Sequence, residues 1–172
     1  DLRMNINLSV GQIIEPDFLD KIDTLFDETG APPEKICFEV TESLAIHDME
    51  KMKELLKHIT DKGVKIALDD FGTGYSSLNC IKEMPLNTIK IDKSFIDDIA
   101  KNPDTVVFVK MIVNLSHDLH IAVCAEGVEE QVQFDILRDL ETDVIQGYYF
   151  GRPMPSDKFE EKFLSEKLQS VK

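Results

Sequence analysis

Short apolar runs alternate with longer stretches of helical periodicity along this chain, and that alternation narrows the fold more than any other property. Arg3 to Leu8, Lys35 to Val40, Val64 to Leu68, Thr88 to Ile91, Ile121 to Ala125 and Val144 to Tyr148 read as six strands. Pro16 suits the first turn of a helix whose apolar face is Phe18, Leu19, Ile22, Leu25 and Phe26, with Gly30 and Ala31-Pro32-Pro33 closing it. Asp48 caps a helix that buries Met49, Met52, Leu55, Leu56 and Ile59, and Gly63 stops it. A short helix around Leu78 to Lys82, a longer one from about Asp104 to Leu119 and another from Glu129 to Leu140 follow. Ser156 caps a last helix using Phe159, Phe163 and Leu168. Strict β/α alternation requires parallel strands, because each return to the sheet must run through a crossover.

The six strands end alike. Asn7, Glu39, Asp69, Lys90, Glu126 and Gln146 stand at or just past the C-terminal ends of their apolar runs. In a (β/α)8 barrel of the TIM type that rim carries the active site. An open doubly wound sheet would gather its site at one switch point instead. A complete barrel takes ~250 residues, and this chain of 172 holds about six of the eight β/α units. The fold class expected is therefore α/β, an incomplete (β/α)8 barrel. The two remaining units are expected before Asp1, since Leu2 to Leu8 already reads as a strand in mid-fold.

The chemistry concentrates at Asp69-Asp70-Phe71-Gly72-Thr73-Gly74-Tyr75-Ser76-Ser77-Leu78, where a strand delivers two adjacent carboxylates into a glycine-bearing turn. Neighbouring acids repel each other unless cations sit between them. A lone acid at a strand end is ordinarily a solvated loop residue or a helix cap, but repetition on successive strands is not explained that way. Asn7, Glu39, Asp69, Asp70 and Glu126 are hard oxygen ligands suited to Mg2+ or Mn2+. Two such ions activate water and stabilise the leaving oxygen of a phosphodiester. Lys90 lies between Ile89 and Ile91, so alternation turns it into the barrel. Gly72 and Gly74 allow tight backbone turns after Asp70. His117 and His120 read as surface residues at a helix end, and Met49 and Met52 as core.

Charge restricts the partners. A formal net charge of −14 opposes nucleic-acid polymers, whereas a small phosphate ligand is admissible where placed cations neutralise the local acids. The cysteines Cys37, Cys80 and Cys124 are odd in number and form no CxxC pair, which points to a reducing, cytoplasmic setting. No stretch has the length and hydrophobicity of a membrane span, so no membrane contact is expected of this segment.

With these residues in view, the chain resembles the EAL domain, the bacterial module that linearises the second messenger cyclic di-GMP. The resemblance is carried by Asn7-Leu8-Ser9, Glu39-Val40-Thr41-Glu42-Ser43, the run from Asp69 to Leu78, Ile89-Lys90-Ile91-Asp92, Ala125-Glu126-Gly127-Val128-Glu129, and Gln146-Gly147-Tyr148 leading into Arg152-Pro153. It implies a phosphodiesterase, a hydrolase giving linear pGpG by two-metal activation of water with Mg2+ or Mn2+. Asn7, Glu39 and Asp69 would bind one metal. Asp70 and Glu126 would serve the second, with Asp69 bridging. Lys90, Glu126 and Gln146 are the implied catalytic residues, Lys90 orienting the attacking water. Glu42 would anchor the loop after the paired aspartates, and Arg152 and Pro153 would meet a guanine. Asp92 and Glu129 would lie near the site. The Glu-Ala-Leu segment that names the family is absent, so residues 1–172 are expected to be the C-terminal portion of one N-terminally truncated EAL-type barrel, with little or no activity alone. A homodimer and an upstream GGDEF or sensor domain are further implications. The alternative is a non-catalytic cyclic di-GMP receptor or protein-interaction module.

Overall fold

The computed structural model describes residues 2–41, 49–73 and 78–164. Six strands form one parallel sheet in sequence order: β1 Met4–Asn7, β2 Ile36–Thr41, β3 Lys65–Phe71, β4 Thr88–Ile91, β5 Ala122–Ala125 and β6 Val144–Ile145. Each neighbour in space is the neighbour in sequence, as in a (β/α)8 barrel. The sheet curls as a half-barrel, an incomplete barrel bounded by β1 and β6.

The helices are α1 Val10–Ile13, α2 Phe18–Thr29, α3 Met49–Asp61, α4 Leu78–Glu83, α5 Lys93–Asp98, α6 Pro103–Asp118, α7 Gln131–Asp139 and α8 Ser156–Phe163, with a 3-10 turn at Pro33–Lys35. Helices α1 to α7 contribute to the apolar layer on the outer face of the sheet, whereas α8 buries no residue. Val40, Ile66, Leu68, Ile89, Ile91 and Val123, on the outward-facing sides of the strands, join Leu56 and Ile59 of α3, Ile112 and Val113 of α6 and Leu137 of α7 in one apolar cluster. All of these are at most 2% exposed. Burial of an apolar side chain of this size is worth about 1.5–3 kcal/mol, so this layer holds the fold. The inner faces carry different residues, because successive side chains alternate across the sheet. Asn5, Cys37, Glu39, Lys65, Ala67, Lys90 and Cys124 point inward, around a hollow of about 490 Å³ in which all but Glu39 are wall residues.

Several boundaries differ from the sequence reading. The short helices α1 and α5 are additions. Six residues hold too few apolar positions to display a period, and α5 is announced only by Asp92, whose carboxylate accepts from the Ser94 N–H at 3.0 Å as a helix cap. At α6 the cap is Asn102, accepting from the Asp104 N–H at 3.0 Å, with Pro103 in the first turn. Ser156 is the first residue of α8, with Pro155 before it, and does not cap it. The expectations for Asp48, Glu42, Gly74 and Leu168 fall outside the described residues.

Strand β6 ends at Ile145 where the apolar run suggested Tyr148. The reason is Gly147. A Cβ built there would stand 2.0 Å from the Val128 carbonyl oxygen and 2.3 Å from its nitrogen. The chain leaves the ladder to seat against the loop after β5, where the Val128 N–H donates to Gln146 O at 3.1 Å and the Tyr149 N–H donates to Val128 O at 2.9 Å.

Candidate active site

The centre of the rim is Lys90. Its side chain is 5% exposed, and Nζ lies 2.8 Å from Glu39 Oε1, 3.1 Å from Asp69 Oδ1 and 2.8 Å from Glu126 Oε1. Four side chains from β2, β3, β4 and the end of β5 thus meet at one point. Parallel register brings them there. Glu39 pairs with Ala67 on β3, two residues before Asp69, and Lys90 pairs with Cys124, two residues before Glu126. Ala67 leaves room in the layer below for the long side chains of Glu39 and Lys90.

Burial penalises the Lys90 ammonium, but the hydrogen bonds it donates to Glu126 and Glu39 outweigh that penalty and hold its pKa above the ordinary lysine value. Glu126 is raised too: its own burial, with Asp69 and Glu39 close by, exceeds the help it receives from Lys90. The two directions agree physically, since three carboxylates share one cation.

Asp69 and Asp70 are sequence neighbours, which regular strand geometry would send to opposite faces. The β3–β4 register shifts between Leu68 and Phe71, and Asp70 takes a left-handed backbone with φ 56°. This bulge absorbs one residue. Phe71 is thereby returned to the buried side and both carboxylates stay at the rim. Aspartate tolerates the left-handed region better than most residues. The Asp70 N–H donates to Asp69 Oδ1 at 3.0 Å. Partial burial, then the charges of Asp69 and Asp92, raise the pKa of Asp70.

The other expected residues are spread around this centre. Asn7 faces Glu39 across the β1–β2 register, but the hydrogen bond to Glu39 Oε1 comes from Asn5 Nδ2 at 2.8 Å. Asn5 was missed by the sequence reading, although it shares the inward face with Asn7 by simple alternation. Asp92 caps α5, and its pKa falls because the Ser94 hydrogen bonds outweigh burial. Glu129 pairs with Lys93 Nζ at 3.1 Å. Gln146 lines the inner hollow and also a cleft of about 830 Å³ that contains Arg152, Pro153 and Tyr148. There the Arg152 guanidinium stands 4.6 Å from the centre of the Tyr148 ring, a stacked cation–aromatic pair. His117 lies at the opposite, N-terminal ends of β5 and β6, with Nε2 2.9 Å from Asp143 Oδ2.

Gln133 is a second residue that the sequence reading missed. It is 4% exposed, accepts from the Glu129 and Glu130 N–H groups at 2.8 and 2.9 Å, and donates to the Ile96 carbonyl at 3.0 Å. It ties the loop bearing Glu126 to α5. Its signal was positional: a glutamine three residues after Glu130 at a helix start.

The donor set is chemically that of a hard divalent cation, all carboxylate and amide oxygens. Among the described residues no three acids, cysteines or histidines are set out as a ready metal cage; the carboxylates close on Lys90 instead. Nor, among those residues, is any helix long and apolar enough to cross a membrane.

Comparison with known proteins bears on this rim. The family model described as "EAL domain" matches residues 1–153. The bifunctional diguanylate cyclase/cyclic di-GMP phosphodiesterase MucR of Pseudomonas aeruginosa is 36% identical over 158 residues, covering 92% of this chain and 23% of its own length. The structure of the PaMucR phosphodiesterase in complex with c-di-GMP superposes with a TM-score of 0.87 at 36% identity, over 91% of this chain and 64% of that one. A manganese/cy-diGMP complex of Klebsiella pneumoniae BlrP1 gives 0.81 at 32%, over 88% and 39%. The chain spans about a fifth of the length of the curated relatives it matches.

Proposed function

Because the chain belongs to the EAL domain family, we propose that it is the C-terminal portion, residues 1–172, of a cyclic di-GMP phosphodiesterase barrel that opens one phosphodiester to give linear pGpG. The observation that carries this reading is the convergence of Glu39, Asp69 and Glu126 on Lys90 at the C-terminal rim. Asn7, Glu39 and Asp69 would hold one Mg2+ or Mn2+, and Asp70 and Glu126 the second, with Asp69 serving both. Bound there, the ions supply positive charge against the phosphate and make water nucleophilic at neutral pH.

The chain's own groups do the rest. Lys90 directs an N–H toward the attacking water. Gln146, standing between the inner hollow and the Arg152 cleft, contacts that water or the substrate. Arg152, stacked on Tyr148 beside Pro153, meets a guanine. The bulge at Asp70 keeps its carboxylate beside that of Asp69. Gln133 and Lys93 hold the loop that presents Glu126. Support for a divalent ion comes from the manganese complex of a relative. The name of another relative supports a parent that also carries a GGDEF-type cyclase. A cytoplasmic location and a homodimer belong to the same reading.

Among the described residues β1 and β6 each have a strand partner on one side only, so we assign little turnover to the chain alone. The test is pGpG formation from cyclic di-GMP with Mn2+, by this chain and by a longer version restored with its native upstream residues. The longer version is expected to turn over and Asp70→Asn to abolish it. Unchanged turnover in Asp70→Asn would overturn the assignment. Binding without turnover in the longer version would establish a receptor instead.

A further inference from the structure

An ammonium group has three N–H donors and no acceptor. Lys90 has three carboxylate partners within 2.8–3.1 Å. Its donors are therefore fully committed to Glu39, Asp69 and Glu126, with none left for water or a phosphate oxygen. All three partners are residues assigned above to the metal ions. Each carboxylate keeps a second oxygen, but a hard cation that takes the oxygens now facing Lys90 must draw them from its N–H groups. The charges make the same point: three carboxylates and one ammonium leave −2, the deficit a divalent ion neutralises.

The contacts of these acids are unequal. Glu39 is 6% exposed and has a second donor, Asn5, on the same oxygen. The side chains of Asp69 and Glu126 are more open, at 14% and 19%. The carboxylates that a cation arriving from solvent reaches most easily are thus Asp69 and Glu126.

We propose, on the metal reading above, that Lys90 is an internal counter-cation that competes with the metal. In the metal-free protein it gathers the ligand carboxylates and prevents their mutual repulsion from opening the rim. Loading exchanges at least one Lys90 contact for a metal contact, and the N–H so released becomes available to the reacting water. Lys90 is idle toward substrate until the metal is in place. The arrangement couples the readiness of the lysine to occupancy of the ion site.

The consequence that separates this role from a purely catalytic one is an opposite effect on metal affinity and on stability. Lys90→Met removes the competitor. Mn2+ titrated calorimetrically is expected to bind at least tenfold more tightly to Lys90→Met than to the unaltered protein. The metal-free variant is expected to melt at a lower temperature, with a larger gain on adding Mn2+. Equal or weaker Mn2+ binding by a folded Lys90→Met would overturn the proposal.

A second measurement needs no variant. The Lys90 side-chain NH3+ resonance, held by three partners, is followed by NMR during a Mg2+ titration. A shift whose midpoint matches the calorimetric Mg2+ binding is the result expected. Mg2+ binding with an unchanged Lys90 resonance would overturn the exchange while leaving the metal reading intact. No Mg2+ or Mn2+ binding by the unaltered protein would overturn the metal reading, and this proposal with it.

Discussion

The two flanks of Lys90 are built to different standards. On the β4–β5 side each chemical residue is supported by another. Asp92 caps α5, Gln133 ties the loop after Glu126 to α5, and Gly147 admits Val128 against the β6 end. On the β1 side the support is thin. All four residues of β1 are exposed, and among the described residues its side chains reach the site through one hydrogen bond, Asn5 to Glu39. Both flanks hold residues at equivalent strand ends, so position on the rim alone does not determine rigidity. Rigidity follows from the apolar layer behind each strand: Ile89 and Ile91 are 0% exposed on β4, whereas Met4 is 61% and Ile6 is 38% exposed on β1.

The strongest test of that contrast is a pair of truncations. Ile89→Ala empties a fully buried position in the central strand and is expected to cost about 2–5 kcal/mol. Ile6→Ala removes a side chain that is already 38% exposed, and should cost about 1–2 kcal/mol. Urea unfolding monitored by circular dichroism checks both, and equal costs would end the distinction.

Next comes Gly147→Ala. The added methyl meets backbone atoms of Val128 at 2.0–2.7 Å, which no side-chain rotation relieves. A cost of about 1–3 kcal/mol is expected, as for other overpacked sites. The disturbance should be local: hydrogen exchange should quicken at Val128 and Tyr149, whose N–H groups cross this contact, while β3 keeps its protection. Uniform loss of protection would show that the loop is not a separate unit.

How much of this was readable beforehand depends on the length scale. The six strands and their rim residues follow from apolar runs closed by polar groups, and the inward direction of Lys90 follows from Ile89 and Ile91 on either side of it. What escaped reading depended on through-space contact. The bulge that keeps Asp69 and Asp70 on one rim is a break in alternation that a period-two pattern does not encode. The choice between Asn5 and Asn7 as the donor to Glu39 turns on side-chain reach, since both share a face. The early end of β6 reflects the approach of Val128, eighteen or more residues away in the chain, and a run of apolar residues carries no trace of it.

On the weaker flank, Asn5→Ala deletes the donor to Glu39. A hydrogen bond to a charged group is worth about 1.5–3 kcal/mol when buried, but Asn5 is exposed, so about 1 kcal/mol is expected. The carboxylate keeps its contact with Lys90. The rim should therefore survive, with a small fall in the urea midpoint. A loss as large as that of Ile89→Ala would place β1 on an equal footing with β4.

The smallest effect belongs to the opposite end of the strong flank. Asp143 accepts from the Val123 N–H at 2.8 Å and meets His117 of α6 at 2.9 Å, tying β5, β6 and α6 below the site. Partial burial alone would raise its pKa, but the Val123 and His117 contacts outweigh that and hold it below the ordinary carboxylate value. A depressed folded-state value means that the carboxylate stabilises the fold above the unfolded pKa of about 3.9. That contribution declines as pH falls through the folded value. Asp143→Asn keeps an oxygen for the Val123 N–H and removes only the charge. The side chain is 40% exposed, so screening limits the difference to under about 1 kcal/mol. Urea midpoints of the two proteins should differ at pH 6 and draw together below pH 4. A gap that is constant with pH would assign the tie to hydrogen-bond geometry alone, leaving the apolar layer as the whole source of the difference between the flanks.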